Sequence, residues 1–223
     1  MPLVPDERLL ADGLYLLAHD ERGRSRVPDQ VVDLGLAAAL LGELMLQNRV
    51  TVQRARVAIM DTTHPQDALA CTVLGHMVAR RQVRDLRVWL ALLAGWSFQA
   101  IGERLERQDL VVRTRKRWGR PMRFLPLDVD TVVVPADVLA RRLYHQHPLT
   151  TAHALLLGLA RTVGLIDVLV PDGPASTGQY LTAVAVSLPR PLRELVQTLQ
   201  DAVAALGPTR PATGHTRKDR HAA

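Results

Sequence analysis

The sequence has few of the residues on which several classes of protein depend. Cys71 is the only cysteine among 223 residues, and aromatic residues make up 4% of the chain. A single cysteine excludes a disulfide framework and a zinc site built from several cysteines. Because 48% of the residues are nevertheless hydrophobic, the core must be built mainly from leucine, valine and alanine.

Long hydrophobic runs are also missing. The two longest apolar stretches, 34–46 and 154–170, are interrupted by Glu43 and by Arg161 and Asp167. Both are short for a helix that crosses a bilayer, and the N-terminal residues carry acids where a secretory signal needs positive charge before an apolar run. We therefore predict buried core helices in a soluble, cytoplasmic chain.

No residue pattern typical of an enzyme is found. The segment 95–99 (GWSFQ) lacks the second glycine of a nucleophile elbow, and there is no glycine-rich phosphate loop. Three histidines lie close together in sequence, but no cysteine or carboxylate completes a metal site with His145, His147 and His153. The sequence predicts a protein that is not an enzyme and has no metal, cofactor or small-molecule substrate.

The hydrophobic periodicity predicts a mainly α-helical chain with two β-hairpins. A short hairpin is predicted over 49–60, a longer one over 110–127, and a loop over 171–178. We predict one α-rich domain over 1–206 and a disordered basic tail over 207–223. The predicted helices run over 7–18, from Asp29 to Gln47, from Asp67 to Arg81, over 86–94, from Ser97 to Gln108, over 135–146, from Thr150 or Thr151 through the next apolar stretch, and over 192–206.

Side chains at several helix ends are predicted to cap or to pair locally. Asp29, Asp67, Ser97 and Thr150 or Thr151 are expected to accept hydrogen bonds from the first backbone amides of their helices. The acids of the helix before the longer hairpin are interpreted as solvated partners of neighbouring arginines, Glu103 and Glu106 with Arg104 and Arg107.

Positive charge is concentrated in the longer hairpin. The chain carries +6 overall. The hairpin segment alone contributes +6 without an acid, and the tail contributes a further +3, so the rest of the chain carries −3. This distribution indicates a localised contact with an anionic partner. The residues concerned are Arg113, Arg115, Lys116, Arg117, Arg120 and Arg123, with Trp118 near the hairpin tip.

A tryptophan between cations at a hairpin tip is typical of a membrane contact. The ring enters the bilayer interface while the cations meet lipid phosphates, each contributing about 1 kcal/mol at an anionic surface. Three alternatives stay open: solvated charges on a hairpin folded back on the body, an oligomerisation scaffold that uses the hairpin, and a nucleic-acid-binding wing. Nucleic acid is disfavoured because no helix with a basic, polar recognition face precedes the hairpin.

From about Leu9 to Pro171 the chain resembles a bacterial member of the Golgi phosphoprotein 3 family. The similarity is carried by Asp67, Leu69 and Trp89 and by the runs LLAHDERGR (16–24), GLAAALLGELMLQNRV (35–50) and HPLTTAHALLLGLARTVGLIDVLVP (147–171). The resemblance implies a compact helical domain around a central bundle, with a protruding basic hairpin. It also implies a non-catalytic adaptor that binds phosphatidylinositol 4-phosphate. Such a protein would associate peripherally with the inner face of a membrane, and the hairpin would contribute to membrane contact and to a homo-oligomer.

The residues that bind the headgroup in this family do not carry over. A tryptophan and three arginines of the family correspond to Pro28, Ala37, Gly95 and Phe98. The resemblance therefore implies binding to anionic phospholipid headgroups in general. Nearby arginines that could take over are Arg24, Arg26, Arg104 and Arg107.

Overall fold

The computed structural model describes residues 9–114, 122–145, 149–170 and 176–207. Within these ranges the chain forms nine α-helices and two separate antiparallel hairpins, which confirms the predicted mainly α fold. Among the helices described, none is both long enough and apolar enough to cross a bilayer. The elements are α1 (Leu10–Ala18), α2 (Asp29–Leu46), β1 (Val50–Gln53), β2 (Arg56–Ile59), α3 (Ala68–Ala79), α4 (Leu86–Arg107), β3 (Val111–Arg113), β4 (Phe124–Pro126), α5 (Asp130–His145), α6 (Thr151–Thr162), α7 (Leu165–Leu169), α8 (Ser176–Ser187) and α9 (Arg190–Ala205).

Helix α2 is the centre of the bundle. It is apolar on nearly every side, and it packs against α1, α3, α4, α6 and α9. A helix of this kind has no polar face to present to water and is stable only when other elements surround it. Gly35 allows α2 to lie close to Val163, since a Cβ atom at residue 35 would lie 2.7 Å from Val163 Cγ1.

The hairpins match the predicted positions. Val50 pairs with Ile59 and Gln53 with Arg56, so the first hairpin is confirmed to within one residue at each end. In the second hairpin Arg113 pairs with Phe124, which confirms its base. The tip, residues 115–121, and the tail, residues 208–223, lie outside the described residues.

The prediction of two helices over 86–94 and 97–108 is wrong, because α4 is continuous from Leu86 to Arg107. Ser97, the predicted cap, is buried in the middle of this helix. Its hydroxyl donates a hydrogen bond to the backbone carbonyl of Asp33 in α2, at 3.2 Å. The partner of this serine therefore lies on a neighbouring helix, and the local helical backbone is not interrupted.

The predicted helix ends are partly confirmed. The Asp67 carboxylate accepts from the amide of Ala70 at 2.8 Å, and the Thr150 hydroxyl accepts from the amide of His153 at 3.3 Å, so both caps exist. The Asp29 cap is wrong, because Asp29 already lies in the first turn of α2 and Pro28 precedes it without a side-chain cap.

Helix α5 begins earlier than predicted, and helix α8 is not among the predicted helices. The predicted start of α5 at Pro135 is wrong, because the Asp128 carboxylate accepts from the amide of Asp130 at 3.1 Å and the helix begins there. Pro135 lies inside the helix at the loss of one backbone hydrogen bond. Helix α8 begins at Ser176, inside the predicted loop 171–178, whose first five residues lie outside the described part.

Arg104 lies in a buried ion cluster, so its predicted role as a solvated partner of Glu103 or Glu106 is wrong. Its side chain is 3% exposed and donates to Asp12 at 2.8 Å, to Glu43 at 3.2 Å and to Asp67 at 3.0 Å. Burial raises the pKa of Asp12 and of Glu43, and the Arg104 guanidinium opposes that rise. The cluster therefore joins α1, α2, the cap of α3 and α4 through a single side chain.

Phe124 anchors the second hairpin to α4. Its ring is buried and meets the Phe98 ring edge-on, with the ring centroids 5.8 Å apart. Gly102 leaves the space that this ring fills, because a Cβ atom at residue 102 would overlap the ring. Gly23, at φ +62°, likewise approaches the Phe124 carbonyl more closely than a side chain would allow.

We expect Gly102→Ala to displace Phe124 and to lower the free energy of unfolding by about 1–3 kcal/mol, as overpacking does in a filled core. Urea denaturation followed by circular dichroism measures this. Gly95→Ala is the matched control on the same helix, because nothing lies within 4 Å of a Cβ atom there. The control should gain up to about 1 kcal/mol from helix propensity, and equal behaviour of the two variants would contradict the proposed anchor.

We expect Arg104→Ala to lower the free energy of unfolding by about 3–5 kcal/mol, because it leaves buried carboxylates without their cation. The control is Arg107→Ala, an exposed arginine one turn later on α4, which should change stability by less than about 0.5 kcal/mol. A comparable small loss in both variants, measured by urea denaturation, would show that the cluster does not hold the helices together.

Candidate functional site

The base of the second hairpin is closed by hydrogen bonds between its two chains. The Thr114 amide donates to the Arg123 carbonyl at 2.8 Å, and the Arg123 amide donates to the Thr114 hydroxyl at 3.0 Å. Two of the seven predicted contact residues, Arg113 and Arg123, therefore lie at a defined position. The other five lie outside the described residues, namely Arg115, Lys116, Arg117, Trp118 and Arg120.

Arg113 is held against α4. Its guanidinium lies 2.7 Å from the Glu103 carboxylate and 3.4 Å from that of Glu106, and 5.4 Å from the centroid of the Phe124 ring. The side chain is 38% exposed. The hydrogen bond that Gln99 donates lowers the pKa of Glu103 most, and the hydrogen bond from Arg113 lowers it further. The acids predicted to pair with Arg104 and Arg107 thus fasten the first cation of the hairpin to the body.

A pocket of about 670 Å³ opens beside this base. One wall is the turn between α1 and α2 with the start of α2, the opposite wall is the middle of α4, and the third is the chain entering β4. Arg123 belongs both to the hairpin and to the pocket lining, which also includes Met122. The hairpin and the pocket are therefore parts of one surface.

Four positions of this chain correspond, by resemblance, to the headgroup-binding residues of the Golgi phosphoprotein 3 family, and three of them line this pocket. Pro28, Gly95 and Phe98 come from α2 and α4 and lie around the same cavity. Ala37 does not belong to the lining, since it is 0% exposed in the core. Three of the positions that the resemblance implies are thus brought together around one cavity, although the residues there are neither tryptophan nor arginine.

Only one of the four arginines considered as substitutes lines the pocket. Arg24 does so. Arg26 instead donates to the backbone carbonyl of His19 at 3.2 Å, Arg104 is committed to the buried cluster, and Arg107 is exposed at the end of α4. Arg24 and Arg123 are thus the two cations of the lining.

The pocket also contains acids, which the sequence reasoning missed. Asp29 and Asp33 line it from successive turns of α2. Burial, and secondly the charge of Asp29, raise the pKa of Asp33 to about 6. The spacing of four residues between Asp29 and Asp33 could have placed the two acids on one surface, because residues i and i+4 share one face of a helix.

An aromatic cluster supports the pocket from behind. The Tyr15 ring stacks on those of His19 and Phe98, with centroids 4.3 and 5.5 Å apart. His19 Nδ1 lies 2.7 Å from the Tyr15 carbonyl, so Nδ1 carries the proton and donates. Burial lowers the pKa of His19 and favours the neutral ring. Within the described ranges, no three histidine, cysteine or acidic side chains are grouped to hold a metal ion.

The comparisons with known proteins bear on identity. No curated protein matches the sequence with statistical significance. One family model, that of Golgi phosphoprotein 3 (GPP34), matches residues 10–206, which is most of the chain and includes every helix and strand given above. Membership suggests a phosphoinositide-binding adaptor rather than an enzyme, and a lipid partner in general. The chain belongs to the Golgi phosphoprotein 3 (GPP34) family.

Proposed function

We propose that this protein is a non-catalytic, peripheral membrane protein that binds anionic phospholipid headgroups through the basic hairpin and the pocket at its base. The observation that supports this most directly is the position of Arg123, which lies on the hairpin and also lines the pocket. A headgroup in the pocket would therefore lie beside Arg123, which is five residues from Trp118 in the sequence. The inner face of a membrane is the proposed location, because anionic lipids there attract basic segments.

The hairpin supplies attraction without specificity. Five cations remain when Arg113 is set aside, since its charge is already balanced by Glu103 and Glu106. At about 1 kcal/mol each near an anionic surface they contribute about 5 kcal/mol. That corresponds to a dissociation constant between millimolar and micromolar. A second contact is needed for tight binding, and the pocket is the candidate for it.

A second candidate function is an oligomerisation scaffold. It is favoured by three exposed apolar side chains beside the hairpin base, Val112, Leu127 and Val129. The mass in solution without lipid, measured for the full chain and for a chain lacking 113–123, separates the two functions. A scaffold requires an oligomer that disappears with the hairpin, whereas membrane binding requires none.

We expect the triple variant Arg115→Glu, Arg117→Glu and Trp118→Ala to bind anionic vesicles at least about 100-fold more weakly, because four charge units and the wedge are lost. Vesicle flotation at constant salt measures the binding. The matched control carries the same changes on exposed residues of α5 and α6, Arg141→Glu, Arg161→Glu and Tyr144→Ala. Undiminished flotation of the hairpin variant would contradict the proposed function.

A further inference from the structure

The pocket at the hairpin base is lined by charges of both signs that do not pair with one another. Arg24, Arg123, Asp29 and Asp33 share its lining. Within the part of the chain that the structure describes, none of these four side chains forms an ion pair. Opposite charges around one cavity that leave each other unpaired are suited to a ligand that meets both.

The arginines and the carboxylates select different chemical groups of such a ligand. Arginine guanidinium groups bind phosphate by paired hydrogen bonds. Carboxylates only accept, so they need hydroxyl or ammonium donors and repel a second phosphate. Asp33 is half-buried, which strengthens this repulsion because fewer water molecules screen it.

A further acceptor lies in the same lining. His19 is 4% exposed, and its Nε2 atom has no hydrogen-bond partner among the residues that the structure describes. Because Nδ1 carries the proton, Nε2 is an acceptor. A buried acceptor without a partner at the wall of a cavity is itself a reason to expect a donor-bearing ligand there.

We propose that the pocket selects a phospholipid headgroup with one phosphodiester and hydrogen-bond donors beyond it. The donors are the hydroxyls of inositol or glycerol, or the ammonium of ethanolamine. The phosphate lies at Arg24 and Arg123, and the donors lie at Asp29 and Asp33. This deepens, and rests on, the proposed membrane function. It also means that the pocket disfavours a headgroup with a second anionic group, whether a further phosphate or the carboxylate of serine.

The test compares vesicles of equal surface charge that differ only in headgroup: phosphatidylinositol, phosphatidylglycerol, phosphatidylethanolamine with added phosphatidylserine, phosphatidylserine alone, and phosphatidylinositol 4-phosphate. We expect at least one of the first three to bind about tenfold more tightly than the last two, the effect of one hydrogen bond to a charged group. The headgroup of the vesicles that bind best identifies the hydrogen-bond donor that the two carboxylates accept from. Tighter binding to phosphatidylinositol 4-phosphate, or equal binding to all five, would overturn the selectivity while leaving the membrane function intact.

The variant Asp29→Asn with Asp33→Asn keeps the pocket shape and removes the negative charge. We expect it to lose the preference and to bind phosphatidylinositol 4-phosphate about tenfold more tightly than the unaltered protein does. The control, Asp137→Asn with Asp167→Asn, makes the same charge change on exposed residues of α5 and α7 and should keep the preference. If the unaltered protein binds none of the vesicles, the membrane function itself fails.

A different surface carries a second inference. Four arginines, Arg54, Arg56, Arg81 and Arg84, line a groove of about 760 Å³ between the first hairpin and α3. The groove floor is apolar and includes Val57, Met77 and Trp89, and no acid is part of the lining. Among the described residues, none of the four guanidinium groups forms an ion pair or a hydrogen bond. Four like charges thus line the groove, and the acids next to it hold backbone amides: Glu194 accepts from the Ala55 amide at 3.2 Å and Asp85 from the Arg87 amide at 2.8 Å.

Helix α4 contributes to both the groove and the pocket. Trp89 in the groove floor and Trp96 in the pocket wall are seven residues apart on it, a spacing of about 10 Å. The His76 ring lies 5.8 Å from the Trp96 ring, and its Nδ1 lies 3.0 Å from the Arg80 guanidinium. The groove therefore lies within about two helical turns of the pocket along α4.

We infer that the arginine groove is a second contact with anionic lipid, which again rests on the proposed function. Arg81→Gln with Arg84→Gln should weaken binding to phosphatidylglycerol vesicles by about 30-fold, from the loss of two basic groups at the surface. The control is Arg141→Gln with Arg161→Gln, which should stay within about twofold of the unaltered protein.

An environment-sensitive dye locates the contact. It is attached to Thr62→Cys, in the groove lining, or to Thr182→Cys on α8, both in a Cys71→Ser background. Vesicles should shift the emission of the first dye to shorter wavelength and leave the second unchanged. Unchanged binding of the Arg81 and Arg84 variant, or no shift at residue 62, would overturn this inference. The hairpin variant tests the membrane function separately.

Discussion

The ion cluster around Arg104 is the constraint on which the rest of the structure depends. One buried cation faces three carboxylates, on α1, on α2 and at the cap of α3. A buried charge without its partner is so unfavourable that the four elements are fixed relative to one another by a single side chain. Because the Ala11 amide also donates to Glu43 at 2.8 Å, the acid on α2 serves both the cluster and the backbone of α1.

The position of α4 that this cluster fixes decides where the candidate site lies. Phe98 and Gly102 precede Arg104 on the same helix, the first lining the pocket and the second receiving the Phe124 ring. Beyond that anchor, Arg113 is bound to α4 by Glu103 and Glu106. The cation nearest the body thus fastens the hairpin base to α4.

The sequence predicts what is local and misses what depends on a distant partner. Periodicity locates the helices, and Asp67 and Thr150 are found as caps because their hydrogen bonds lie within four residues. Ser97 and Arg104 are misjudged because their partners lie on other helices. Glu43, the one acid within the apolar stretch 34–46, indicates a buried cation without identifying it. The groove arginines escape a search for dense charge because they are spread over 54–84.

The place of the pocket in the fold does not depend on the charges that line it. Its place is set by packing: the cluster fixes α4, the rings of Tyr15 and Phe98 support the wall, and Gly23 lets the turn after α1 approach β4. None of these contacts depends on the charges that line the cavity. Pro28 and Gly95 can therefore vary without moving the pocket, whereas Phe98 is part of its packing. In the proposed function, ligand preference would follow from Arg24, Arg123, Asp29 and Asp33, since function depends on the residues of a site rather than on the fold that carries it.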